Sequence, residues 1–129
     1  MTYLIVFVAA LSAFMIGGLW YSPIMFLNIW SKASANDPKS EEGRHPVRVF
    51  GLSFLFSLIA AISLFNFLGP QPSLQEAIKT SLLIGICFVA TSFGINYQFS
   101  HKSMILWLID AGYHCVQFLT MGLIFGLWH

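Results

Sequence analysis

The chain is short of charge. Asp, Glu, Lys and Arg make up 9% of its 129 residues, where soluble domains carry about 25%. Hydrophobic residues make up 57%, with 13 phenylalanines. A water-soluble fold of this length cannot hide that much apolar surface, and lipid removes the need to hide it. Net charge is only +1, which leaves no basic patch for nucleic acid. Cysteine is scarce too. Cys87 and Cys115 both lie in apolar runs, and no CxxC or Cys/His metal spacing occurs. They read as two membrane-buried thiols, with a disulfide between neighbouring helices as the lesser alternative. The N-terminal MTYLIVFV has no basic stretch before its apolar run, so that run is expected to stay as a permanent helix rather than a cleaved signal. HExxH, acids paired at helical spacing and a second histidine at depth are all missing. An intramembrane enzyme, a haem or redox protein and a metal centre lose support on that ground. The expectation is a non-enzyme without cofactor.

What is present is four apolar runs. Spanning a bilayer takes about 20 apolar residues. The runs at 3–21, 47–68, 77–98 and 103–128 meet that length. They predict an all-α protein with four transmembrane helices and one membrane domain over 1–129. Ser22 and Pro23 after the first run suit a helix start. A short interfacial helix over 24–34 is therefore expected, the alternative being one long kinked helix through Trp30. Residues 36–46 form the hydrophilic loop, within a cytoplasmic connection over 31–46, and His45 in it reads as solvated. Ser73 and Glu76 read as a capping box before the third run.

Five of the six basic residues (Lys32, Lys39, Arg44, Arg48 and Lys102) fall on one side of these spans, and Lys79 falls on the other. Short basic loops stay in the cytoplasm, so both termini are expected outside. Trp20, Tyr21, Trp30 and Tyr97 read as the inner boundary belt, with Tyr3 and Trp128 as the outer one.

Small residues recur at helical spacing. Ala9, Ala13 and Gly17 do so in the first span, and Ser53, Ser57 and Ala61 in the second. Ser81, Gly85, Ser92 and Asn96 fall near one face of the third, and Gly122 and Gly126 form a GxxxG in the fourth. Such stripes allow close helix approach, within or between subunits.

The fourth span carries the unexpected chemistry. Asp110, His114 and Gln117 lie within roughly 60° of one another on a helix. By a 1.5 Å rise from Ser103, Asp110 is about 10 Å deep and His114 about 16 Å deep. Thr91 and Ser92 of the third span fall at the depth of Asp110 and are its expected partners. An acid at mid-membrane costs about 2.5–3.5 kcal/mol, and one hydrogen bond there returns about 0.6 kcal/mol on average. The stripe must therefore face protein or water. It is either a buried Asp110–His114 pair that fixes packing or a proton or ion relay.

Two stretches, LWYSPIMF (19–26) and DAGYHCVQFLTMGLIFGLW (110–128), resemble a family of small four-helix membrane proteins catalogued as a domain of unknown function. The matching positions are Trp20, Tyr21, Ser22, Pro23, Gly112, Tyr113, Met121, Gly122, Gly126, Leu127 and Trp128. The resemblance covers essentially the whole chain. It implies the four-helix architecture and a bacterial inner membrane, and it brings no activity. The leading expectation is a structural or accessory membrane component that acts through helix packing, as a homo-oligomer or with a membrane partner. The alternative is an oligomeric transporter or channel lined by Asp110, His114 and Gln117.

Overall fold

The computed structural model describes residues 2–34 and 46–128. The hydrophilic loop expected at 36–46, with His45, lies almost wholly outside these residues. The described chain is all-helical: α1 (Thr2–Trp20), α2 (Leu27–Ser34), α3 (Pro46–Leu68), α4 (Leu74–Phe99) and α5 (Met104–Leu127). Four of these, α1, α3, α4 and α5, are long and apolar enough to cross a membrane.

The helix ends follow local chemistry. Ser73 and Ser103 each accept a bond from the amide three residues on, Glu76 and Leu106, at 3.1 Å. These caps satisfy donors that the first turn leaves free. Gly69 ends α3 at φ +86, in the left-handed region that favours glycine. Ser22 departs from expectation. Its hydroxyl donates to the Leu19 carbonyl at 2.7 Å, so it closes α1 instead of capping α2. The last carbonyls of α1 lack helical partners, and Pro23 cannot extend the helix to supply one. The chain then turns through residues 21–26, and α2 starts at Leu27. A single kinked helix through Trp30 is thereby excluded.

α5 is the central helix. In its apolar window 39% of residues are buried, against 17–22% for the other spans. It packs on α1, on α2 and along most of α4, and α1 packs on α3. The tight core lies toward the end that carries Thr2 and Leu127. Val6, Ala9, Ala10, Ala13, Ala61, Leu64, Met121 and Phe125 cluster there. Ser57 crosses from α3 to the Ala10 carbonyl at 3.1 Å. The GxxxG of α5 is used within the chain. A Cβ at Gly122 would stand 1.9 Å from Ser81 Oγ, and one at Gly126 would stand 3.0 Å from a Leu74 methyl.

The middle of α4, Leu83–Ala90, winds as a π-helix, with i→i+5 bonds and wider turns. This changes which residues face α5. The buried positions run Ala77, Ser81, Gly85, then Ala90, then Tyr97. On an unbroken α-helix, Ser81 and Tyr97 would point roughly 160° apart. The five-residue step from Gly85 to Ala90 takes up that mismatch. It also corrects the face expected from uniform spacing: Ser81 and Gly85 are buried, but Ser92 and Asn96 are exposed, because the wider turns rotate the second half of the helix.

Gly122→Val should lower unfolding free energy by about 1–3 kcal/mol through overpacking. Gly18→Ala, where a Cβ would meet nothing within 4 Å, should not lower it and can raise it by up to about 1 kcal/mol through helix propensity. Thermal unfolding in mild detergent measures both.

Candidate functional site

Asp110 is buried two turns into α5, level with the end of α1 and beneath α2. Three aromatic donors converge on its carboxylate. Tyr21 Oη donates to Oδ1 at 2.6 Å and Trp30 Nε1 to the same oxygen at 3.1 Å. Tyr97 Oη donates to Oδ2. Lys102 Nζ lies 5.4 Å from the centroid of the Tyr97 ring, in cation–π range. All three donors are neutral, and a carboxylate can accept from all of them. Membrane hydrogen bonds reach at most about 1.7 kcal/mol each, so three near that value offset the insertion cost of the acid where one does not.

The neighbouring aromatics extend the same lock. Trp20 Nε1 donates to the Ile109 carbonyl at 3.0 Å, Tyr113 Oη to Ala13 at 2.9 Å and Trp107 Nε1 to Ala90 at 2.9 Å. Glycines make room for the rings. A Cβ at Gly112 would stand 3.2 Å from the Trp20 ring, and one at Gly17 would stand 2.8 Å from Tyr113 Oη. The Trp20-Tyr21 pair and the Asp110-x-Gly112-Tyr113 segment thus interlock. By sequence alone Trp20, Tyr21, Trp30 and Tyr97 read as an interfacial belt, and that reading misses their role as donors to α5. The available signal is the number of N–H and O–H aromatics at the depth of one acid.

The expected partners are placed differently. Thr91 bonds back to its own helix, to Cys87 at 2.8 Å and Phe88 at 3.2 Å. Ser92 is exposed. Both are turned off the α5 face by the π-helical stretch, so Asp110 takes its partners from Tyr21, Trp30 and Tyr97 instead. Asp110 and His114, whose pairing is one of the two readings of the stripe, are not hydrogen-bonded to each other. His114 Nδ1 bonds Gln117 Oε1 at 2.6 Å, and its ring stacks on Phe93 with centroids 4.9 Å apart. Ala9 and Ala13 are buried in the core. Met121 is fully buried. Cys87 and Cys115 are free thiols. No group of three or more His, Cys, Asp or Glu suited to a metal occurs among the described residues.

The stripe therefore divides. Asp110 is sealed, while His114 and Gln117 line a cavity of about 440 Å3 between α1, α3, α4 and α5. A second cavity of about 350 Å3 adjoins it between the loop-side halves of α1 and α3, sharing Phe14, Tyr21, Ser53 and Tyr113. Tyr21 thus has its hydroxyl in the lock and its ring on the cavities.

Tyr97→Phe, which removes a donor to Asp110, should lower unfolding free energy by up to about 1.7 kcal/mol, and Trp107→Phe by about 0.6 kcal/mol. Unfolding midpoints of both variants in mild detergent check the order.

No curated protein and no solved structure matches the chain. A family model does match over residues 4–126. The interlocked motifs lie within that span, and the chain belongs to the family described as protein of unknown function (DUF1761).

Proposed function

We propose that the protein is a structural or accessory membrane component, neither an enzyme nor a proton conductor. The sealing of Asp110 carries this reading. Both carboxylate oxygens are held by aromatic donors, and no bond leads from Asp110 to His114. A relay needs stations that exchange protons with one another, and here the two polar groups belong to separate arrangements. The lock joins α1, α2, α4 and α5 at one end of the bundle, which suits a rigid part in a membrane assembly.

Gly17, Gly122 and Gly126 meet neighbouring helices of the same chain. Association with a second copy or another membrane protein would therefore use the outward faces of α3 and α4, whose windows are each 17% buried. The positions of Lys32, Arg48 and Lys102 against Lys79 favour a cytoplasmic loop end and outside termini, in a bacterial inner membrane.

Two measurements test this. Proteoliposomes should show proton flux no greater than empty vesicles, for the native protein and for Asp110→Asn alike. A flux that falls in Asp110→Asn would replace this reading with a conducting one. Alkaline phosphatase fused after His129 should be active, and inactivity would reverse the orientation.

A further inference from the structure

The cavity at His114 adjoins the Asp110 lock through Tyr21 and Tyr113, but its polar pair, His114 and Gln117, is unused by a purely structural role. Its chemistry is specific. The Gln117 side-chain oxygen only accepts, so the 2.6 Å contact requires a hydrogen on His114 Nδ1. In the neutral ring this leaves Nε2 with a lone pair. Neither His114 Nε2 nor the Gln117 amide nitrogen bonds another described residue, and neither is among the fully buried atoms without a partner. Both are therefore reachable from the cavity: one acceptor and one donor, side by side near the middle of a 24-residue span. The other walls are mainly aromatic, with Phe14, Phe56, Phe93 and Phe118. At about 440 Å3 the space falls within the roughly 300–1,000 Å3 of small-molecule sites, which pair apolar walls with a few placed polar groups.

The route in is lateral. α3 packs chiefly on the first part of α4, Leu74–Leu82, and scarcely on its π-helical middle. A cleft edged by Phe56, Ala60, Val89 and Phe93 lies between them at the level of His114. Phe56 is 64% exposed at this edge, where lipid would be. A molecule that enters here arrives from the bilayer.

We propose that this cavity binds a membrane-dissolved phenolic ring of the hydroquinone type. Its hydroxyl donates to His114 Nε2, an oxygen accepts from the Gln117 amide, and the ring lies among the phenylalanines. A donor hydrogen is needed because Nε2 offers a lone pair, and the phenolic hydroxyl supplies it. An aromatic ring suits the phenylalanine walls.

The full chain in lipid nanodiscs would be titrated calorimetrically, under argon, with 2-decylhydroquinone and with its dimethyl ether. The hydroquinone should bind about tenfold tighter than the ether, the worth of one buried hydrogen bond. With 15N-histidine label, only the hydroquinone should shift the His114 Nε2 resonance. His114→Phe, which keeps the stack on Phe93, should bring the hydroquinone down to the affinity of the ether. Ser53→Phe, on an exposed wall residue, should weaken both, which gives a second readout should His114→Phe fail to fold. Hydroquinone without its tail should bind more weakly than the decyl compound, and equal binding would refute entry from the bilayer. Equal affinity for decylhydroquinone and ether, an unmoved Nε2 signal, or no binding of either overturns the proposal.

Discussion

Placing one carboxylate inside an apolar bundle constrains everything near it. Asp110 cannot face lipid unpartnered, so three separate segments must deliver donors to it. Tyr21 comes from the end of α1, Trp30 from α2 and Tyr97 from near the end of α4. None of the three can shift along its axis without losing its bond. The short α2 and the turn before it then have a reason to exist. They bring Trp30 over the top of α5, which α1 alone, ending at Trp20, could not do. The glycines at 17 and 112 obey the same constraint, because the rings of Tyr113 and Trp20 occupy the space their side chains would fill.

The two ends of the bundle use different physics. Toward Thr2 and Leu127, small residues let backbones approach, and the core is four alanines packed with Val6, Leu64, Met121 and Phe125. Packing of this kind is dispersion between close surfaces, the main attraction available in lipid. Toward the loop end, polar bonds hold the helices while cavities remain between them. Directional bonds can fix geometry without filling volume, and that is how a rigid arrangement coexists with open space.

Much of this is legible in the chain. Run length and scarcity of charge give the four spans, and Ser73 marks a helix start that the structure caps as expected. The stripe on α5 is visible as Asp110, His114 and Gln117. Its partners are not, for two reasons. Tyr and Trp serve both as interface residues and as buried donors, and composition does not separate the roles. The partners of Asp110 also depend on the phase of α4. A uniform helical period places Thr91 and Ser92 toward α5, and it fails where the turn widens.

The widened turn bears on how this chain tolerates change in length. α4 behaves as two half-helices in different phase, joined at Leu83–Ala90. Loss of a single residue there would return the helix toward one phase. With one residue fewer and regular α winding, Ser81 and Tyr97 would stand roughly 60° apart instead of 160°, so the wide turns house about one extra residue while keeping Tyr97 toward Asp110. Residue count and winding must therefore change together: one residue fewer keeps Tyr97 near the α5 face only if the wide turns go with it. The spacing between Gly85 and Tyr97 is therefore as much a part of the carboxylate's environment as the residues that touch it.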